Sequence, residues 1–156
     1  MQFHFLHAAD IHLDRNLNGL RLGEGRPRWQ APRLAFAALV NEAIRSRAAF
    51  LVLAGDIYDG AWKDSSTGLF FNRQMGRLRD AGIPVYLKYG NHDAIAAMPK
   101  TLHVPDNVHI FPSDAPRTFT IDEQQVALHG QSFRDADPRD NLVNRYPAPV
   151  PGMLNI

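Results

Sequence analysis

The sequence predicts an α/β fold with a largely parallel sheet. Short apolar runs alternate along the chain with two segments in which apolar residues recur at helical spacing. Short connections between strands and helices in this order are typical of parallel strands linked by crossover helices. A polar motif also follows each of the first three apolar runs: Asp10-Ile11-His12, Gly55-Asp56-Ile57-Tyr58-Asp59 and Gly90-Asn91-His92-Asp93.

The first half of the chain contains three predicted strands and two predicted helices. Residues 3–9 form the first strand, and the wholly apolar run 50–54 is typical of a strand that is buried on both faces. Pro84 opens the third strand, which extends to Tyr89. Helices are predicted at residues 31–48 and 65–81, the second with Ser65 or Ser66 as its N-cap and Gly82 as its stop.

The second half of the chain predicts short strands at residues 108–111, 117–121 and 125–129, with a hairpin turn at Asp122-Glu123. Residues 134–152 are predicted to be irregular, with one helical turn near residues 140–144. Residues 153–156 look like the start of another strand. We therefore expect residues 1–156 to be the N-terminal portion of a longer domain.

Composition narrows the class of protein. The chain has 156 residues, 45% of them hydrophobic, which is enough for a packed core. It contains no cysteine, so thiolate metal sites and disulfides are excluded. The N-terminus does not read as a secretory leader, and no apolar run approaches the length of a membrane span. Cytoplasm is therefore kept as the default compartment, and no membrane partner is expected.

The three polar motifs predict a metal centre, because hard oxygen ligands and an imidazole delivered from several strand ends suit divalent ions. Asp10 and His12 are two residues apart and would point to the same side of an extended segment. Asp56 can bridge two ions and Asn91 offers an amide oxygen, which leaves His92 to act as a proton donor. Two such ions can clamp a phosphate and activate a water, and a histidine can protonate the leaving oxygen.

Together the three motifs resemble those of the calcineurin-like metallophosphoesterases. The flanking sequence at residues 6–14, 54–59 and 83–93 is further similar to the SbcD-type DNA repair exonucleases, including their YhaO-like branch. The resemblance covers roughly residues 1–133. It implies a four-layer αββα sandwich with a mostly parallel sheet followed by short antiparallel strands.

The resemblance also implies roles for particular residues. Asp10 and His12 would bind the first metal, Asp56 would bridge, Asn91 would bind the second metal, and His92 would be the catalytic acid. Asp59 and Asp93 would orient the ligands. The implied cofactor is a pair of divalent ions, Mn²⁺ by preference.

The family carries further histidine ligands, one after a later strand and then a His-x-His pair, and nothing in this sequence matches them. We therefore expect this stretch of chain by itself to bind metal weakly and to turn over poorly, if at all.

The resemblance implies a metal-dependent phosphodiesterase with exonuclease and endonuclease activity in DNA repair. Its implied partners are DNA, a second copy of the chain in a homodimer, and a coiled-coil SMC-like ATPase. Five arginines between residues 15 and 33, Arg15 and Arg21 among them, form a basic loop that could bind substrate phosphates. The alternative for this loop is a solvated segment that happens to be rich in arginine.

Other interpretations remain open from the sequence. The Asp and Asn residues of the motifs could serve only as turn and cap residues, and His92 could be structural. His129 ends a strand and could approach the site. Lys88 is expected to extend from the sheet edge rather than bind phosphate, and Tyr58 to be a core residue rather than a base-stacking one.

Two other functions compete with the nuclease. One is a metallophosphoesterase that acts on a cyclic nucleotide, a phosphoprotein or a phospholipid head group. The other, for the chain as it stands, is a non-catalytic unit whose metal site is incomplete.

Overall fold

Two β-sheets and two α-helices make up the part of the chain that the structure, a computed structural model, describes. The described residues are 2–13, 15, 30–58, 66–94, 104–137, 139 and 141–156. Their elements, in chain order, are β1 (Leu6–Ala8), α1 (Gln30–Ser46), β2 (Leu51–Ala54), α2 (Ser66–Asp80), β3 (Val85–Lys88), β4 (Val108–Ile110), β5 (Arg117–Ile121), β6 (Val126–Gly130), a 3₁₀ helix (Leu142–Arg145) and β7 (Leu154–Asn155). Each predicted element is present, with bounds that differ by at most three residues.

The first sheet is parallel throughout and has the strand order β1-β2-β3-β4. Leu51 pairs with Leu6 on one side and with Val85 on the other, so β2 and β3 are both interior strands. The predicted parallel sheet is confirmed. Lys88 is the last residue of β3, which has a neighbouring strand on both sides, so it lies at the carboxyl end of the sheet and not on an edge strand.

Both helices pack on one face of this sheet. The rings of Phe36 in α1 and Phe71 in α2 stack with centroids 5.8 Å apart, and both side chains are buried in one core with Leu51 and Leu53. Helix α2 ends as predicted at Gly82, which has φ +71° and donates its N–H to the carbonyl of Arg79. Among the described residues, no helix has the length and apolar character needed to cross a membrane.

The second sheet has the order β5-β6-β7 and covers the other face of the first. Strands β5 and β6 form the predicted antiparallel hairpin, and β7 pairs with β6 in parallel. Phe50 and Tyr86 from the first sheet share a core cluster with Val126 and Leu128 from β6. The described residues thus supply three layers of the predicted αββα sandwich: helices, parallel sheet and second sheet.

Candidate metal centre

Three consecutive parallel strands deliver the three polar motifs to one edge of the first sheet. Strands β1, β2 and β3 end at Ala8, Ala54 and Lys88, and a motif follows each strand end within two residues. Beyond the strands, residues 10–13 continue beside residues 55–58. The N–H groups of Asp10, His12 and Leu13 donate to the carbonyls of Gly55, Asp56 and Ile57 at 3.2, 2.9 and 2.8 Å. This position, at the carboxyl ends of parallel strands, is where α/β sheets commonly bind ligands.

The backbone of the first two motifs is left-handed at the predicted ligands. Asp10, His12 and Asp56 have φ values of 55°, 45° and 53°. Non-glycine residues seldom adopt such values, and those that do are concentrated at functional sites. The expectation that Asp10 and His12 lie on an extended segment is therefore wrong: β1 ends at Ala8, and left-handed turns aim the two side chains.

Three predicted ligands meet in space. Potential ligand atoms of Asp10, His12 and Asp56 all lie within 4.8 Å of one another, with Asp10 exposed and the other two partly buried. Two carboxylates and one imidazole match the donors that divalent ions such as Mn²⁺ and Zn²⁺ accept in proteins. The donor chemistry and the spacing therefore fit a divalent metal ion.

Two glycines allow the second and third motifs to approach each other. A Cβ on Gly90 would lie 2.7 Å from the backbone nitrogen and 2.8 Å from Cγ of Asp56. A Cβ on Gly55, which has φ +97°, would lie 2.9 Å from Cα of Gly90. Asp56 therefore packs directly on the backbone of Gly90, which only glycine permits. The glycine that precedes the acidic or amide residue in both motifs was the signal for this contact in the sequence.

Asp93 holds the turn that carries Asp56. Its side chain is fully buried and accepts N–H groups from Gly90 and Ile57, both at 2.6 Å, and from Asp56 and Tyr58 at 3.2 and 3.3 Å. Burial raises the pKa of Asp93 above its ordinary value, although the backbone hydrogen bonds from Gly90, Ile57 and Tyr58 act in the opposite direction. The Asp93 carboxylate thus holds the turn that carries Asp56. The ligand-orienting role that the resemblance implied for Asp93 stays a prediction.

His92 lies against two of the predicted ligands. Its backbone N–H donates to Oδ1 of Asp56 at 3.1 Å, and its exposed ring meets the ring of His12 edge-on, with centroids 4.9 Å apart. Asn91 lies between Gly90 and His92, both of which contact Asp56. The metal-binding role of Asn91 and the acid role of His92 stay predictions.

Several predicted residues lie elsewhere. Asp59, Arg21 and most of the arginine-rich stretch fall outside the described residues, while Arg15 is exposed and donates its N–H to the carbonyl of His12 at 3.0 Å. Arg33 belongs to α1 rather than to the predicted loop.

The ring nitrogens of His129 lie 2.8 Å from Thr118 Oγ1 and 2.9 Å from Asn155 Oδ1, so this histidine joins strands of the second sheet. Tyr58 is a core residue, as expected.

The fold agrees with the family comparison. Residues 3–153 match the family model of the calcineurin-like phosphoesterases. The chain belongs to this metallophosphoesterase family.

The chain is also similar in sequence to individual proteins. The chain is 33% identical to the uncharacterized metallophosphoesterase YhaO of Bacillus subtilis (strain 168) over 91% of its own length and 36% of that protein. It is 30% identical to the DNA double-strand break repair protein Mre11 of Archaeoglobus fulgidus, over 57% of the chain and 19% of that protein. The chain thus spans about a third or less of the length of these relatives.

Among solved structures, a dimetal phosphatase from Danio rerio aligns with a TM-score of 0.39 at 23% sequence identity. The alignment covers 58% of this chain and 29% of the phosphatase.

Proposed function

We propose that this chain carries the N-terminal half of the active site of a DNA nuclease that uses two divalent ions, Mn²⁺ by preference, and serves DNA repair. The observation that carries the proposal is the convergence of Asp10, His12 and Asp56 at one edge of a parallel sheet. Membership of the calcineurin-like family supports hydrolysis of a phosphoester.

Each residue has a defined task in this proposal. Asp10 and His12 would hold one divalent ion, Asp56 would be shared between the two ions, and Asn91 would contribute to the second. The bound ions supply Lewis-acid activation of a water and neutralise charge on the phosphate. His92, exposed beside His12 and Asp56, donates a proton to the oxygen that leaves.

Similarity to Mre11, whose name describes DNA double-strand break repair, supports DNA as the substrate. Arginines of the stretch from residue 15 to residue 33 would contact the phosphate backbone of DNA. From the resemblance to the SbcD-type exonucleases, we also propose a cytoplasmic homodimer that works with a coiled-coil SMC-like ATPase.

The test is Mn²⁺-dependent cleavage of linear double-stranded DNA. It is run on the 156-residue chain and, where the natural protein is longer, on the full-length protein, each with a His92→Ala control. The proposal expects the full-length protein to cut DNA and the control to lose most of that activity. Hydrolysis of small phosphodiesters without cleavage of DNA would instead contradict the repair assignment and favour a metallophosphoesterase with another substrate.

A further inference from the structure

Lys88 is a partly buried cation at the carboxyl end of β3, the strand that the third motif follows. It pairs in register with Ala54, the last residue of β2 and the second before Asp56. Its Cε lies 3.5 Å from the position that a Cβ on Gly55 would take. The lysine side chain therefore runs along the backbone from which Asp56 projects.

The end of this side chain is held by an aromatic ring. The Lys88 ammonium lies 4.5 Å from the centroid of the Phe133 ring, within the range of a cation–π interaction. Phe133 is itself fixed beside the third motif, because its N–H donates to the carbonyl of Tyr89 at 3.0 Å. This contact keeps the charge of Lys88 at the sheet edge that carries the motifs.

Electrostatics connect Lys88 to the carboxylates of the centre. Burial lowers the pKa of Lys88 below its ordinary value, while three carboxylates act in the opposite direction and favour the charged form. These carboxylates belong, in decreasing order of effect, to Asp56, Asp93 and Asp10. Two of the three are predicted metal ligands, and the third holds the turn that carries one of them.

We propose that Lys88 is a built-in counter-cation of the metal centre. It compensates the clustered carboxylates when no divalent ion is bound, and it opposes the ion electrostatically when one binds. This inference rests on the proposed metal centre. In this inference Lys88 alters the affinity of the centre for metal through its charge. It does not contact the substrate and is not a catalytic residue.

The physical basis is the placement of like and unlike charges in a partly buried site. Carboxylates that lie together repel one another, and a fixed ammonium nearby relieves that repulsion in the metal-free protein. A divalent ion brings two positive charges to the same place and is repelled by the ammonium. Removal of the Lys88 charge should therefore weaken the metal-free fold and strengthen metal binding.

The experiment compares the wild-type chain with Lys88→Met, which keeps a similar length without charge, and with Lys88→Arg, which keeps the charge. Mn²⁺ affinity is measured by calorimetric titration, and thermal unfolding is followed in EDTA and in saturating Mn²⁺. The matched control is Arg79→Met, which removes an exposed positive charge at the far end of α2.

We expect Lys88→Met to bind Mn²⁺ about tenfold more tightly and to have a Tm about 3 °C lower in EDTA. Mn²⁺ should close this gap in Tm, and Lys88→Arg and Arg79→Met should both bind the ion like wild type. If Lys88→Met lowers the Tm equally with and without metal and leaves affinity unchanged, Lys88 only packs and the inference is wrong. If the wild-type chain binds no Mn²⁺ at all, the failure lies with the proposed metal centre instead.

Discussion

The backbone N–H of His92 donates to Oδ1 of Asp56 at 3.1 Å. This bond joins the motif after β3 to the motif after β2, across 36 residues of sequence. The bond holds the Asp56 carboxylate, which is proposed to be shared between the two ions. Its donor is the backbone of His92, whose side chain is proposed to protonate the leaving group. A shift of either motif would therefore alter ligand geometry and acid position together.

Gly90 should be intolerant of any side chain. A methyl group there would overlap Asp56, so we expect Gly90→Ala to displace the carboxylate, to weaken Mn²⁺ binding at least tenfold, and to destabilise the fold by about 1–3 kcal/mol. Calorimetric titration and chemical unfolding measure the two effects. Gly76→Ala is the matched control: it adds a methyl to the middle of α2, where nothing lies within 4 Å, and should stabilise by about 0.5–1 kcal/mol. Equal behaviour of the two variants would contradict the close contact.

Asp93 should matter for stability through its charge and its acceptor capacity. Asp93→Asn replaces one of two acceptor oxygens with an NH₂ group that faces backbone N–H donors. We expect a loss of roughly 2–4 kcal/mol in the free energy of unfolding, measured with urea in EDTA. Asp80→Asn, at an exposed ion pair with Arg79, should change stability by less than about 1 kcal/mol. An Asp93→Asn variant as stable as wild type would show that the four hydrogen bonds contribute little.

Substitutions of His12 and His92 should have different effects, on metal binding and on catalysis respectively, although the two rings are in contact. His12→Ala removes a predicted ligand, so Mn²⁺ affinity should fall at least tenfold. His92→Ala should bind Mn²⁺ nearly as well as wild type, while phosphodiester hydrolysis by the active, full-length protein falls by roughly 10²–10⁴. Titration and steady-state kinetics check the two claims. A large loss of metal affinity in His92→Ala would assign that residue to the ligands instead.

His129 should be structural. Removal of its ring in His129→Ala leaves Thr118 and Asn155 without that partner and should destabilise the second sheet by about 1–3 kcal/mol. Mn²⁺ affinity should not change, because the ring links β5 to β7 and lies outside the Asp10, His12 and Asp56 group. Amide exchange should show faster opening of residues 154–155. A fall in metal affinity without loss of stability would reverse this assignment.

The sequence predicted the fold well, because strand and helix periodicity are local signals. The wholly apolar run at 50–54 became the interior strand β2, and the stop at Gly82 appears as a left-handed helix end. The convergence of the motifs followed from the parallel order of β1, β2 and β3, since parallel strands end at the same edge.

What the sequence could not give were conformations and contacts set by tertiary structure. Asp and His are enriched among residues with left-handed backbone, but residue type alone does not determine the conformation of Asp10 and His12, and an extended segment was expected there. Asp93 reaches the N–H of Ile57 across 36 residues, and Lys88 at the end of β3 meets Phe133, which follows β6. Such pairings depend on how β3 is placed between its neighbours, which periodicity alone does not determine.

The most direct measurement is calorimetric titration of Mn²⁺ into the 156-residue chain and into Asp56→Asn, which keeps the size of the side chain and removes its charge. The account predicts weak but saturable binding by wild type and a loss of affinity of at least tenfold in Asp56→Asn. Asp122→Asn, in the hairpin turn of the second sheet, should bind Mn²⁺ like wild type. No saturable binding by wild type, or equal affinity in Asp56→Asn, would contradict the claim that Asp10, His12 and Asp56 form a metal centre.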